Sequence, residues 1–438
     1  MMKSIYGIIV YKDTMQNKIY YGEYTLQHWI KLMLTGNIVL PQYQRHFVWK
    51  ERDVKRLLQS LKEGQFVQPV TIALYADGSK KENLILDGQQ RLTSLLLAYI
   101  GYIPDTKKFE TDNGERVATE DDSALDEENT STDGILWQYT ELLKYGKTKM
   151  DILSKVQTDD RYIQLADDVL TDLDDKFFKN TYLGFSYVVP VSSDATTIQN
   201  NFSQLFRNIN YFGKKLDPME SRKSLYYQNA DLTDYFEGKC EDGTSVLSTL
   251  KIMEGIKLSK IDFVRYLTIL SQFSFSRPGA IDVLVGYSAY ASREGCYADY
   301  VSYLLGLDQE DRVKKFNGFK FSDQFPNTNW KERFKSVKDS VERLKPIMSL
   351  NDKEAFSACY EADIWLFGLL YHILFYGKTL NDSLDTDNNG NAVSLEHNIK
   401  AFIESARNDK SFLKNANRLG NIRMRLVKSC EIYSNYVH

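Results

Sequence analysis

Cysteine and histidine are scarce in this 438-residue chain, and neither is arranged for metal chemistry. The four cysteines, Cys240, Cys296, Cys359 and Cys430, stand far apart with no C-x-x-C pair. That spacing argues against a zinc site or a disulfide framework and fits reduced thiols. The five histidines are His28, His46, His372, His397 and His438, and none shows H-x-x-x-H spacing, so a zincin-type site is excluded. Long apolar runs are missing too: no stretch suffices to span a bilayer. The opening MMKSIYGIIVYKDTM has a short apolar part and no small-residue cleavage pattern, so a cytoplasmic protein without membrane attachment is expected. Nor is there an excess of positive charge. With 55 Lys and Arg against 59 Asp and Glu, the net charge is -4. The chain is not coated for nucleic acid, although a local basic groove remains compatible with that balance.

What is present reads as an ordinary globular chain, 43% hydrophobic and 26% charged, long enough for two or three domains. In the first hundred residues helix and strand signals alternate. Thr25 can cap a helix through LQHWIKLML, stopped at Gly36. IVLP (Ile38 to Pro41) is a short strand candidate. ERDVKRLLQSLKEG sets Val54, Leu57, Leu58 and Leu61 on one helical face and ends at Gly64. PVTIALY and NLILD, joined at Asp77-Gly78, read as a hairpin. Residues 105–134 are acidic, polar and poor in large apolar side chains, as in an exposed insertion. Beyond them helical signals dominate, with helical periodicity from Asp151 to Phe178 and a returning strand at FSYVVPVS. WKERFKSVKDSVERLKPIM repeats Trp330, Phe334, Val337, Val341 and Leu344 at three- and four-residue steps. The expected class is therefore α+β. An α/β core (1–104) is followed by the acidic insertion (105–134), a helical continuation (135–230) and an α-helical C-terminal region (231–438).

Three polar segments interrupt this pattern. LPQYQRHFVWKERDV places Tyr43, Gln44, Arg45 and Trp49 between a strand and a helix. Their bland reading is a surface loop with Trp49 stapling the next helix. LILDGQQRLTSLLLAY sets Asp87 and Gly88 at a strand-to-helix turn and Gln89, Gln90 and Arg91 at the helix start. Uncapped N–H groups and the helix dipole favour an anion there. Asp87 as a simple cap with Arg91 paired to a carboxylate explains the same residues. FSQLFRNINYFGKKLDPMESRKSLYY gathers Arg207, Asn210, Glu220 and Arg222 around a turn at Gly213. A capping box from Asp217 to Glu220 accounts for part of it.

Taken in order, L-P-x-Y-Q-R-x-F-x-W, L-D-G-Q-Q-R-L-T-S-L and F-R-N-I-N-x-x-G-x-x-L-x-x-x-E-S-R resemble the N-terminal domain family of GmrSD-type restriction endonucleases. That family is related to the ParB and sulfiredoxin-like fold, and the likeness runs from about Leu26 to Asn229. The resemblance implies a bacterial phage-defence protein whose D-G-Q-Q-R cleft binds and hydrolyses nucleoside triphosphate, with Mg2+ as the accompanying ion. It couples this to recognition or cleavage of DNA that often carries modified bases. Carried over, Asp87, Gln90 and Arg91 are the catalytic candidates. Tyr43, Gln44, Arg45, Gly88, Gln89, Arg207, Asn210 and Glu220 are the nucleotide-binding candidates. The alternative is a non-catalytic sensor of nucleotide or modified DNA acting with a separate nuclease or methyltransferase, and self-association is compatible with either. Nuclease-bearing relatives carry E-H-x-x-P and a later G-N-L. The nearest strings here, LEHNIKAF and NRLGNIRMRL, lack the proline and end close to the C-terminus, so a chance echo is the expectation. NIRMRLVK reads as a terminal helix whose arginines reach the first domain or nucleic acid.

Overall fold

The computed structural model describes residues 17–41, 46–77, 80–105, 108–109, 137–171, 173–190, 205, 218–227, 229–254, 257–275, 283–287, 290–307, 316 and 318–438. The chain divides into two compact units, one formed by Met1–Phe109 with Ile135–Gly213, the other by Glu110–Gly134 with Lys214–His438. The first is α/β and the second mainly helical, so the α+β class expected from the sequence holds.

In the first unit the order is β1 (Lys18–Thr25), α1 (Leu26–Leu34), α2 (Glu51–Lys62), β2 (Val70–Asp77), β3 (Lys80–Asp87), α3 (Gln89–Ile100) and β4 (Tyr102–Pro104). There follow α4 (Thr140–Leu143), α5 (Lys149–Val156), β5 (Tyr162–Gln164), α6 (Asp167–Leu170), α7 (Asp175–Asn180) and β6 (Tyr182–Val189). The main sheet runs β1-β6-β2-β3; its β2/β6 pair is parallel, and β1/β6 and β2/β3 are antiparallel. Thr25 caps α1 by accepting the His28 N–H at 3.2 Å. The buried Trp29 donates its indole N–H to the Leu183 carbonyl at 3.0 Å, tying α1 to β6. Val54, Leu57, Leu58 and Leu61 form the buried face of α2 as their spacing requires. Helix α3 is buried along nearly its whole length, so the D-G-Q-Q-R segment opens into the centre of the unit's core.

Two expectations are corrected. Ile38–Pro41 is no strand: Val39 makes one isolated parallel bridge to Leu84. Asp151–Phe178 is not continuous helix either; α5 stops at Val156, and Tyr162–Gln164 instead pairs with β4.

The second unit carries the segment Trp330–Leu344 with Trp330, Phe334, Val337, Val341 and Leu344 all buried, the face read from the sequence. It also holds a small sheet absent from the sequence reading: β7 (Lys251–Glu254), β8 (Lys257–Lys260) and β9 (Ala355–Phe356), in the order β8-β7-β9. Its centre is charged. Asp363, fully buried, accepts two bonds from Arg265 (2.7 and 2.9 Å), two from Arg425 (3.0 and 2.8 Å) and one from the Tyr266 hydroxyl (2.9 Å). This joins three helices, Phe263–Ser274, Cys359–Leu370 and Leu419–Ser434. The arginines of NIRMRL are thus spent within the unit: Arg425 on Asp363, and Arg423 on the Val283 carbonyl. Among the described residues no helix is long and apolar enough to cross a membrane.

Burial alone would push the Asp363 carboxyl up, but Arg265 and Arg425 outweigh it and hold it below the usual carboxylate range. A carboxylate with a depressed folded pKa stabilises above its unfolded value, about 3.9, and that stability is lost as pH falls through the folded value. Replacing Asp363 by Ala leaves two guanidinium groups buried without their anion and is expected to cost about 3–5 kcal/mol. Urea unfolding at neutral and acid pH checks both: the gap between parent and variant closes on acidification.

Candidate functional site

The strand-to-helix turn at Asp87–Arg91 is built from one conformational and two polar requirements. Gly88 sits at the N-cap of α3 with φ +94°, in the left-handed region. A Cβ there would lie 2.9 Å from Val70 Cγ2 and 3.2 Å from Arg91 Nη2. Glycine is therefore required for both torsion and space. The neighbouring strand is shaped to match: β2 pairs with β3 through a register shift between Thr71 and Ile72, beside Val70 and opposite the end of β3. Among the described residues no side chain caps the start of α3.

Asp87 and Arg91 form an i,i+4 ion pair, Oδ2 to Nη2 at 2.6 Å, with the carboxylate 36% exposed and the guanidinium side chain 10%. Arg91 Nη1 also donates to the Gln68 carbonyl. The arginine is thus held by its own motif and by the approach to β2, and the pair presents its carboxylate side to solvent. Gln90 is 6% exposed and uses both ends of its amide: Oε1 accepts from Val48 N at 2.9 Å, and Nε2 donates to the His46 carbonyl at 3.0 Å. Gln89 is equally buried. One turn further on, Thr93 Oγ1 and Ser94 Oγ are buried with no hydrogen-bond partner among the described residues.

The second half of the first motif is anchored here. Besides the Gln90 bonds, Phe47 N donates to the Trp137 carbonyl at 2.8 Å, and the Phe47 ring packs edge-on to Trp137 at 5.9 Å. On its other side, Val39 N donates to Asn83 O (2.8 Å) and Ile85 N to Val39 O (3.0 Å), so this flank runs along β3. Tyr43, Gln44 and Arg45 themselves lie outside the described residues, as do Arg207 and Asn210. Glu220 falls in the helix Pro218–Tyr226 of the second unit, with only its backbone described. Its neighbour Arg222 is 2% exposed, with Nη2 2.7 Å from Asp262 Oδ2 and 3.6 Å from Glu294 Oε2. That residue of the third motif holds the helical unit together. In the terminal region, His397 donates its backbone N–H to the Ser394 cap of its own helix. Among the described residues no cluster of three or more His, Cys, Asp or Glu is arranged to hold a metal.

Sequence reasoning found the motif and missed its partners. Gln68 and His46 act through carbonyls and Val48 through its amide, groups every residue carries, so no side-chain pattern marks them.

The turn thus combines a left-handed glycine, a helix start and a paired aspartate and arginine within an α/β domain. Residues 26–227 match the family model described as GmrSD restriction endonuclease, N-terminal domain. An uncharacterised protein of Methanocaldococcus jannaschii, MJ0686, is 34% identical over 90 residues, covering 16% of this chain and 16% of that protein. The chain thus spans about a sixth of the length of this curated relative.

Gly88→Ala is expected to lower unfolding free energy by about 2 kcal/mol or more, from left-handed strain and the contact with Val70. Gly88→Asn, which tolerates that torsion better but also carries a Cβ, should be destabilised as well. Denaturant unfolding followed by tryptophan fluorescence measures both, and a neutral Gly88→Asn would contradict the space argument.

Proposed function

We propose that the protein is a restriction-type phage-defence protein whose turn at Asp87–Arg91 binds and hydrolyses nucleoside triphosphate, coupled to recognition or cleavage of DNA. The observation that carries this reading is the left-handed Gly88 at the start of α3, which no side chain among the described residues caps, in a segment that matches the GmrSD N-terminal domain. Backbone N–H groups at such a start receive phosphate oxygens, and the absence of a Cβ lets the chain approach them closely. Asp87, the more exposed member of its ion pair, is the residue to orient a divalent ion or an attacking water. Mg2+ is the ion expected, as a companion of the triphosphate. Arg91, fixed by Asp87 and Gln68, supplies positive charge from below the turn. The family likeness also implies nucleotide-binding roles for Tyr43, Gln44, Arg45, Arg207, Asn210 and Glu220.

A second reading has an observation of its own. The Gln90 amide and the Arg91 guanidinium are both engaged within the protein, as in a site that holds a ligand without processing it. In that case the domain senses nucleotide or modified DNA, and a partner nuclease makes the cut.

Phosphate release from each triphosphate with Mg2+, with and without phage DNA, separates the two. Hydrolysis by the parent and a loss of about 100-fold in Asp87→Ala is expected for the enzyme. Binding by calorimetry with no phosphate release supports the sensor. A protein that does neither removes the nucleotide reading altogether.

A further inference from the structure

We infer that Gln90 is a positioning residue, its amide standing in for a neighbouring strand to fix segment 46–48 against the Asp87–Gly88 turn. The functional consequence rests on the nucleotide reading above; the structural one does not.

A carboxamide offers an acceptor and a donor on one planar group, the pair that a neighbouring backbone would offer. Gln90 uses both on residues two apart, Val48 N and His46 O, at 2.9 and 3.0 Å, while 6% exposed. The partners fix the amide's orientation, since a carbonyl only accepts and an N–H only donates. These contacts span 42 and 44 residues of chain. They join the second half of the first motif to the second motif within one unit. A side chain whose ends are both occupied is not free to steer a water, so its effect on any reaction passes through the segment it holds.

Glutamate at position 90 gives a specific readout. The ionised carboxylate keeps the bond from Val48 N but sets a second acceptor against the His46 carbonyl. Protonation restores a donor, and burial raises the pH at which this happens.

The test uses the full chain, with ATP and GTP as probes in the presence of Mg2+. Hydrogen–deuterium exchange should show the Val48 amide losing protection in Gln90→Ala, with the effect centred on residues 46–49. In Gln90→Glu, binding should weaken by about 10-fold or more near pH 8 and recover toward the parent near pH 5.5. If hydrolysis occurs, Gln90→Ala should raise KM by about 10-fold and change kcat by less than about 3-fold. Unchanged Val48 exchange in Gln90→Ala overturns the inference, as does loss of kcat with Val48 protection and KM intact. If Gln90→Ala does not fold, the acid recovery of Gln90→Glu decides, and no recovery counts against the latch. A parent that binds neither nucleotide sinks the functional reading alone, while the exchange result still judges the latch.

Discussion

A chain reversal that only glycine can make sets the terms for the first unit. Gly88 turns the end of β3 into α3 within contact distance of Val70, and that closeness leaves no room for any Cβ. Everything polar nearby follows from it. Asp87 ends the strand, Arg91 comes round one helical turn later to meet it, and Gln90 is directed into the unit rather than out of it. The helix that begins here is buried along nearly its whole length, so the motif is rooted in the core and is not a loose surface loop. Rigid anchoring of this kind is what a binding site needs to hold its geometry.

The two units keep their shape by different means. In the first, an apolar cluster gathers around α1, α2 and α3, with Trp29 hydrogen-bonded to β6. In the second, a large apolar core surrounds one carboxylate shared by two arginines. Buried charges are costly unless fully paired, and their strict geometry selects one arrangement of the helices over others. Arg222 with Asp262 is a second buried ion pair in the same unit.

Local elements were legible where a single segment carried its own periodicity. Trp330–Leu344 shows five buried positions at helical steps, and the hairpin of β2 and β3 announces itself through Asp77-Gly78. Strands of two to four residues, such as β4, β5 and β7 to β9, are too short to show a period, and their pairing is decided by distant chain. The stretch after Asp151 looked helical because its apolar spacing continued past Val156, where tertiary pairing of Tyr162–Gln164 with β4 took over. Within the site, the identity of Asp87, Gly88, Gln90 and Arg91 could be read, and their partners could not. Gln90 reaches backbone atoms over 40 residues away, and Arg265 meets Asp363 across 98.

The anchoring of the first motif has an entropic side. Val39 is tied to β3 and residues 46–48 to α3 by hydrogen bonds formed within the folded unit. Bringing such distant lengths of sequence together costs conformational freedom once, during folding. A nucleotide bound at the turn as proposed would meet both lengths already in place, and its binding would not bear the entropy of ordering them.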